Sequence, residues 1–260
     1  MRIAVLYICT GRYNIFFESF YRSCEKYFIP NSEKTYFVFS DHEEIAHYSN
    51  VRFCYKKCEG FPLDSLFRFR TFLSVEDELI KFDYLYFFNS NIEFVSYVDK
   101  SILPSYEDGF LCCLDADYDK IYPSPCFYPY ERNKRSLAYV PRGLKKYRYF
   151  HAGVNGGRAK EYLEMCKILR NNIERDYENG IIAIYHDESH INKFFSNHLC
   201  KELHSEYGTP EGGANEDTAK IIIVDKTKYG SYFEKGRSSS LLGKTKKMFT
   251  SLKHIIRWYF

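Results

Sequence analysis

Tyr84-Leu-Tyr-Phe-Phe-Asn-Ser-Asn-Ile-Glu-Phe94 decides the reading of this chain. An apolar, aromatic run of strand character stops abruptly at two short amides, Asn89 and Asn91. Residues i and i+2 project to the same side of an extended segment. A strand apolar on both faces that ends in paired polar groups suits the carboxyl end of a central strand. Open α/β sheets bind their ligands there. An Asx turn capping a buried strand is the other reading of the same residues. An amide oxygen is a neutral, weak ligand, whereas hard divalent cations favour carboxylates. No metal is therefore expected at this pair.

Outward from that strand, strand and helix patterns alternate. The spacing predicts strands over 2–8, 35–39, 51–55, 83–88 and 109–114, with helices over about 15–28 and 64–81. Such alternation implies an α/β fold with a mostly parallel central sheet. The 260 residues suit a single large domain, expected over 1–236. Only Gly11 marks the first strand-to-helix turn, so a dinucleotide fingerprint is absent. Between about 116 and 148 the regularity gives way to prolines, tyrosines and basic residues, which predicts a long ordered loop over the site. The basic cluster lacks any nucleic-acid motif and sits in a net acidic body, so no nucleic-acid partner is expected.

The nine cysteines lie mostly within apolar runs, as at Cys9, Cys24, Cys112, Cys113 and Cys166. They read as reduced, buried thiols of a cytoplasmic protein. Cys54 and Cys58 lack the second pair of a zinc site. The first residues read directly as a strand pattern, so neither a leader nor a spanning segment is expected. Residues 237–260 carry six basic and no acidic residues, which leaves the rest of the chain at −3. Leu241, Met248, Phe249, Leu252, Ile255, Ile256 and Tyr259 recur there at helical spacing. A basic amphipathic helix is expected, lying peripherally on an anionic inner membrane surface. Packing against the protein's own body is the rival arrangement.

Two further segments carry polar groups in costly places. Tyr149-Phe-His-Ala-Gly-Val-Asn-Gly-Gly157 reads as a glycine-rich turn between strand and helix, where backbone could approach a ligand closely. His186-Asp-Glu-Ser-His-Ile-Asn192 follows an apolar run, and its two carboxylates are expensive to bury without a task. Its histidines lack the zincin order. Asp187-Glu188 reads as a helix start with one carboxylate left for chemistry.

Together these segments, with Tyr-Phe-Val-Phe-Ser-Asp41, Pro129-Tyr-Glu-Arg132 and Ala138-Tyr-Val-Pro141, resemble a known enzyme family. It is the retaining α-1,3-galactosyl- and N-acetylgalactosaminyltransferase family that includes the histo-blood-group A and B enzymes. The resemblance spans about residues 3–230 and is strongest to bacterial members, where Asn-x-Asn replaces Asp-x-Asp and activity is metal-independent. It implies a Rossmann-like nucleotide-sugar fold of the GT-A type, a UDP-sugar donor and a fucosyl-α-1,2-galactose acceptor. By the same resemblance Ile8, Cys9, Thr10 and Tyr13 would line the uracil and ribose pocket. Arg68 would reach the donor phosphate or sugar, and Asn89 and Asn91 stand where metal ligands normally sit. His151, Ala152 and Gly153 form the tripeptide that separates galactose from N-acetylgalactosamine. Glu188 matches the central catalytic carboxylate, and Lys226 a basic residue near the diphosphate. Asp115, Tyr185, Asp187 and Glu188 would face the acceptor. The family's acceptor-site His and Thr correspond to Asp115 and Pro129, its Trp before His-Asp-Glu to Tyr185, and a later Asp to the region of Pro210-Glu211. At the donor, Gly153 leaves room at the sugar's 2-position, while His151 can hydrogen-bond a 2-hydroxyl; UDP-galactose is the expected donor. A sugar-binding relic without activity is the rival function, and an intact Glu188 argues against it.

Overall fold

The computed structural model describes residues 1–119 and 125–234, together with residues 249, 252, 253 and 256 of the tail. Seven strands form the central sheet: β1 (Arg2–Ile8), β2 (Glu33–Ser40), β3 (Val51–Tyr55), β4 (Tyr84–Phe88), β6 (Phe110–Leu114), β7 (Phe150–Arg158) and β8 (Lys201–Leu203). Their order is β3-β2-β1-β4-β7-β6-β8. Six strands run in one direction, and β7, antiparallel to both β4 and β6, opposes them. A second sheet joins β5 (Ile92–Phe94), β10 (Ile221–Ile223) and β9 (Thr209–Pro210) in that order.

Side chains alternate across the main sheet with the period of two that strands impose. Ala4, Leu6, Phe37, Phe39, Leu85 and Phe87 enter one core layer. That layer is covered by the short helices α2 (Leu63–Leu66), α3 (Arg68–Leu73) and α4 (Glu76–Leu79), by α5 (Ala159–Glu178) and by α6 (His186–Phe195). Ile3, Val5, Tyr7, Tyr36, Val38, Tyr86 and Phe88 enter the opposite layer beneath α1 (Phe17–Tyr27). The result is the expected α/β architecture with a mostly parallel sheet in one domain.

Two expectations need correction. The predicted helix over 64–81 is three pieces, because the backbone leaves helical geometry at Phe67 and Val75. The first break turns Arg68 into the interior, where it is 5 % exposed. The 149–157 segment is no turn: it is β7, in the middle of the sheet. A Cβ at Gly156 would stand 2.7 Å from the Leu85 carbonyl, and one at Gly157 the same distance from that of Gly109. These glycines serve the close approach of neighbouring backbone, a use glycine has inside strands. The 125–148 segment is irregular except for one short turn at Pro125–Phe127, as anticipated for a loop. Buried Asp176 holds it to the end of α5, accepting from Ser136 Oγ at 2.6 Å and from the Leu137 amide at 3.0 Å.

All nine cysteines are free, and the five singled out above are buried. No described helix is long and apolar enough to cross a membrane. The anticipated tail helix over 237–260 lies outside the described residues, apart from Phe249, Leu252, Lys253 and Ile256, which are helical and exposed.

Candidate active site

Reversal of β7 builds the site. The carboxyl ends of β1, β4 and β6 lie on one rim of the sheet, and an opposed strand brings its amino end to the same rim. Phe88 at the end of β4 pairs with Val154, and the Asn89 amide donates to the Gly153 carbonyl at 2.9 Å. His151, Ala152 and Gly153 therefore stand beside the Asn pair, next to the end of β1 at Ile8, Cys9 and Thr10.

At the β1 corner Cys9 and Thr10 are buried, and the Thr10 hydroxyl donates to Asp64 at 3.0 Å. Asp64 also accepts from Lys56 Nζ and from the amides of Glu59 and Gly60, so one carboxylate shapes the loop that closes this corner. Tyr13 packs edge-on against Phe233 at 5.1 Å, within an aromatic cluster that includes Phe16 and Tyr232. Lys226 Nζ donates to the Tyr13 hydroxyl at 2.9 Å. The small sheet delivers that lysine. Ile92 pairs with Ile223; one step beyond, the Val224 amide donates to the Asn91 carbonyl, and Asn91 Nδ2 donates to the Val224 carbonyl, both at 2.8 Å.

Asn91 therefore spends its NH2 on a backbone carbonyl, a partner to which a carboxylate could not donate. A divalent cation fits this donor set poorly, with neutral amides at both positions. Among the described residues no three His, Cys, Asp or Glu side chains converge where they could hold a metal ion.

The far corner holds the carboxylates. His186 takes a left-handed φ of +53° at the start of α6, a conformation rare outside glycine and common at functional sites. The turn sends the next two side chains in different directions. Glu188 stays partly exposed, accepting from the Tyr149 hydroxyl at 2.7 Å and the Ala152 amide at 2.9 Å. Burial pushes its carboxyl up to about 7 despite those two bonds, with the charges of Asp187 and Asp115 adding to the rise. Asp187 is buried, with Oδ2 3.0 Å from Arg68 Nε. Burial raises it to about 6 against the pull of Arg68. Arg68 also donates to the Ala152 carbonyl at 3.0 Å and lies 4.3 Å over the Phe87 ring. Asp187 thus supports Arg68 and the tripeptide from behind. Its side chain has almost no exposed surface.

Tyr185 is exposed, 6.4 Å from the Tyr149 ring, and Asp115 joins β7 through its amide to the Tyr149 carbonyl. Both lie within electrostatic reach of Glu188. Pro129 belongs to the loop beside them, whereas Pro210 and Glu211 sit on the small sheet, where Glu211 binds the Asp225 amide.

Sequence reasoning gave no role to two residues that hold Glu188. One is Tyr149. The other is buried Asn192, which accepts from the Phe150 amide at 2.9 Å and donates to the Phe150 carbonyl at 2.8 Å and the Glu188 carbonyl at 2.9 Å. Asn192 serves α6 and β7 as a neighbouring strand would, where the β6–β7 register shifts between Cys112 and Leu114. The i, i+4 spacing from Glu188 was the available signal.

A mostly parallel α/β sheet with Lys226 near the β1 corner and the Glu188 carboxylate at the far corner of the same rim suits a glycosyltransferase. The chain belongs to glycosyltransferase family 6, whose description it matches over residues 1–228. It is 32 % identical to the Escherichia coli O-antigen biosynthesis glycosyltransferase WbnI over 240 residues, 89 % of this chain and 98 % of that protein. It is 27 % identical to the chicken globoside alpha-1,3-N-acetylgalactosaminyltransferase 1, over 78 % of this chain and 60 % of that longer protein. It is 38 % identical to the rat histo-blood group ABO system transferase 1 over 81 residues, 31 % of this chain and 23 % of that protein.

Proposed function

We propose that this glycosyltransferase moves galactose from UDP-galactose, with retention, in α-1,3 linkage onto a fucosyl-α-1,2-galactose acceptor, without a divalent metal. The observation that carries the reading is the placement of Glu188, gripped by Tyr149 and Ala152 beside the tripeptide and partly exposed. Glycosyl transfer develops positive charge at the anomeric carbon and negative charge on the departing diphosphate. A fixed carboxylate below the sugar stabilises the first. A cation must stabilise the second. Lys226 suits that task, because its bonded partner is the Tyr13 hydroxyl and not a carboxylate. Arg68 is already paired with Asp187, so its part is to hold the sugar pocket.

Galactose is favoured by His151. The volume that a side chain at 153 would take is already filled, with Asn89 Nδ2 2.9 Å and His151 Nδ1 3.0 Å from the missing Cβ. Gly153 therefore offers little space to an acetamido group unless those two move. The likeness to WbnI suggests that the product belongs to an O-antigen or a similar surface polysaccharide built at the inner membrane face. The exposed Phe249, Leu252 and Ile256, at helical spacing in a tail with six basic residues, support peripheral attachment of a cytoplasmic enzyme to anionic lipid.

A donor-by-acceptor screen tests the whole proposal. UDP-galactose and UDP-N-acetylgalactosamine are each offered with a fucosyl-α-1,2-galactoside, in excess chelator and then with manganese. The expected product is the α-1,3-galactoside, formed at a rate within about twofold of that with manganese. A preference for the acetamido donor would move the product to the A-like glycan, and a strict need for manganese would refute metal independence.

A further inference from the structure

His151 is wedged between two glycines, and the second was not part of the tripeptide. Its ring is buried, and Nδ1 accepts from the Gly153 amide at 3.1 Å, so the proton resides on Nε2. Nε2 has no hydrogen-bond partner among the described residues. It faces Gly208 instead, in the segment that enters β9. A Cβ on Gly208 would lie 2.2 Å from His151 Nε2 and 3.0 Å from Cε1, with Cys113 Sγ at 3.2 Å. The backbone at Gly208 has φ −169° and ψ 41°, outside the left-handed region that favours glycine. What a side chain there would contest is the space His151 takes.

We propose that Gly208 is a donor-specificity residue, which sets the position of the His151 imidazole and with it the group presented to the 2-position of the donor sugar. The inference rests on the donor-pocket reading above. On the opposite edge of the ring, Nδ1 is 3.0 Å from where a Cβ at 153 would sit. Pushed from Gly208, the imidazole is driven against Gly153 and Asn89, so it must tilt and the geometry of its bond to the Gly153 amide is lost. A buried donor without a partner is costly, and this one is tolerated against Gly208 only while that residue has no side chain. A pocket built to hydrogen-bond a hydroxyl loses its discrimination when that donor is misplaced.

The test compares Gly208→Ala, His151→Ala and the double variant in the full-length enzyme. Selectivity is the ratio of kcat/KM for UDP-galactose to that for UDP-N-acetylgalactosamine. Gly208→Ala should lower it about tenfold while the Kd for UDP alone stays within about twofold. With the ring removed, the two closest contacts to the new methyl are gone and Cys113 Sγ at 3.2 Å remains, so the double variant should match His151→Ala instead of adding a second loss. A selectivity change below about twofold, or additive losses in the double variant, would overturn the proposal. Should Gly208→Ala fail to fold, a folded double variant upholds the clash with His151, and an unfolded one refutes it. The imidazole carbon resonance of His151 in ligand-free protein gives a reading independent of transfer. It must shift in Gly208→Ala, even if the wild type proved inactive with both donors and the proposed function failed.

Discussion

Tyr149→Phe removes one atom from the grip on Glu188. The ring stays packed against Tyr118, Tyr130 and Tyr185, so the fold should be untouched. What disappears is the 2.7 Å bond from the hydroxyl to Glu188 Oε1. A hydrogen bond to a charged acceptor contributes about 1.5–3 kcal/mol. It favours the ionised carboxylate, and 1.36 kcal/mol corresponds to one pKa unit, so its loss raises Glu188 by roughly 1–2 units. The starting value is about 7. The account requires the ionised form, so activity exists above the pKa and is lost as pH falls through it. The acid limb of kcat/KM should therefore move from near 7 to ~8–9, with a loss of ~5- to 50-fold at pH 7 and near-full recovery by pH 10. The assay is kcat/KM for the donor from pH 5.5 to 10 in both proteins. An equal loss at every pH, or an unmoved acid limb, would refute this role for Tyr149.

Asn192→Ala should strip partners from the buried Phe150 amide and carbonyl, costing ~2–4 kcal/mol in urea unfolding and lowering kcat more than it changes KM. A loss below ~1 kcal/mol would show that water replaces the clamp. Glu188→Gln should alter the pH dependence of stability, because a raised carboxyl pKa means stability present at low pH and lost as pH rises from about 4.5 to about 7. Relative to wild type the variant should gain roughly 1–2 kcal/mol between pH 5 and pH 8, allowing for the partial exposure of Glu188, or a few degrees in Tm. A constant difference across that range would place the group's pKa near its ordinary value. Deleting 237–260 should leave transfer to a soluble fucosylated disaccharide within about twofold and abolish co-sedimentation with vesicles of anionic lipid. Loss of transfer would instead tie the tail to the fold.

Strands β1 to β4 and β6 were legible because Val, Ile, Phe and Tyr runs fit a sheet buried on both faces. β7 was not, since Gly153, Gly156 and Gly157 argue against a strand until the neighbouring carbonyls at Leu85 and Gly109 are in view. The helix over 64–81 looked continuous because its apolar periodicity survives the breaks; the inward turn of Arg68 depends on Asp187, far away in sequence. At the site, Asn89 and Glu188 stood out as polar groups at costly positions, whereas the part of His151, Ala152 and Gly153 came only from the family resemblance. Tyr149, Asn192 and Asp64 did not stand out, because their bonds to Glu188, Phe150 and Thr10 join residues 39, 42 and 54 positions apart. Gly208 carries no local sign at all, since its meaning lies in the imidazole it leaves room for.

The central claim is that Glu188 carries the chemistry, and Glu188→Gln tests it most directly because it keeps the shape and removes the charge. Single-turnover transfer from UDP-galactose to a fucosyl-α-1,2-galactoside, with UDP affinity measured beside it, separates catalysis from binding. The account predicts a fall of ~100-fold or more in the rate with UDP affinity nearly unchanged. Retention of most of the rate would contradict it and move the role to another group.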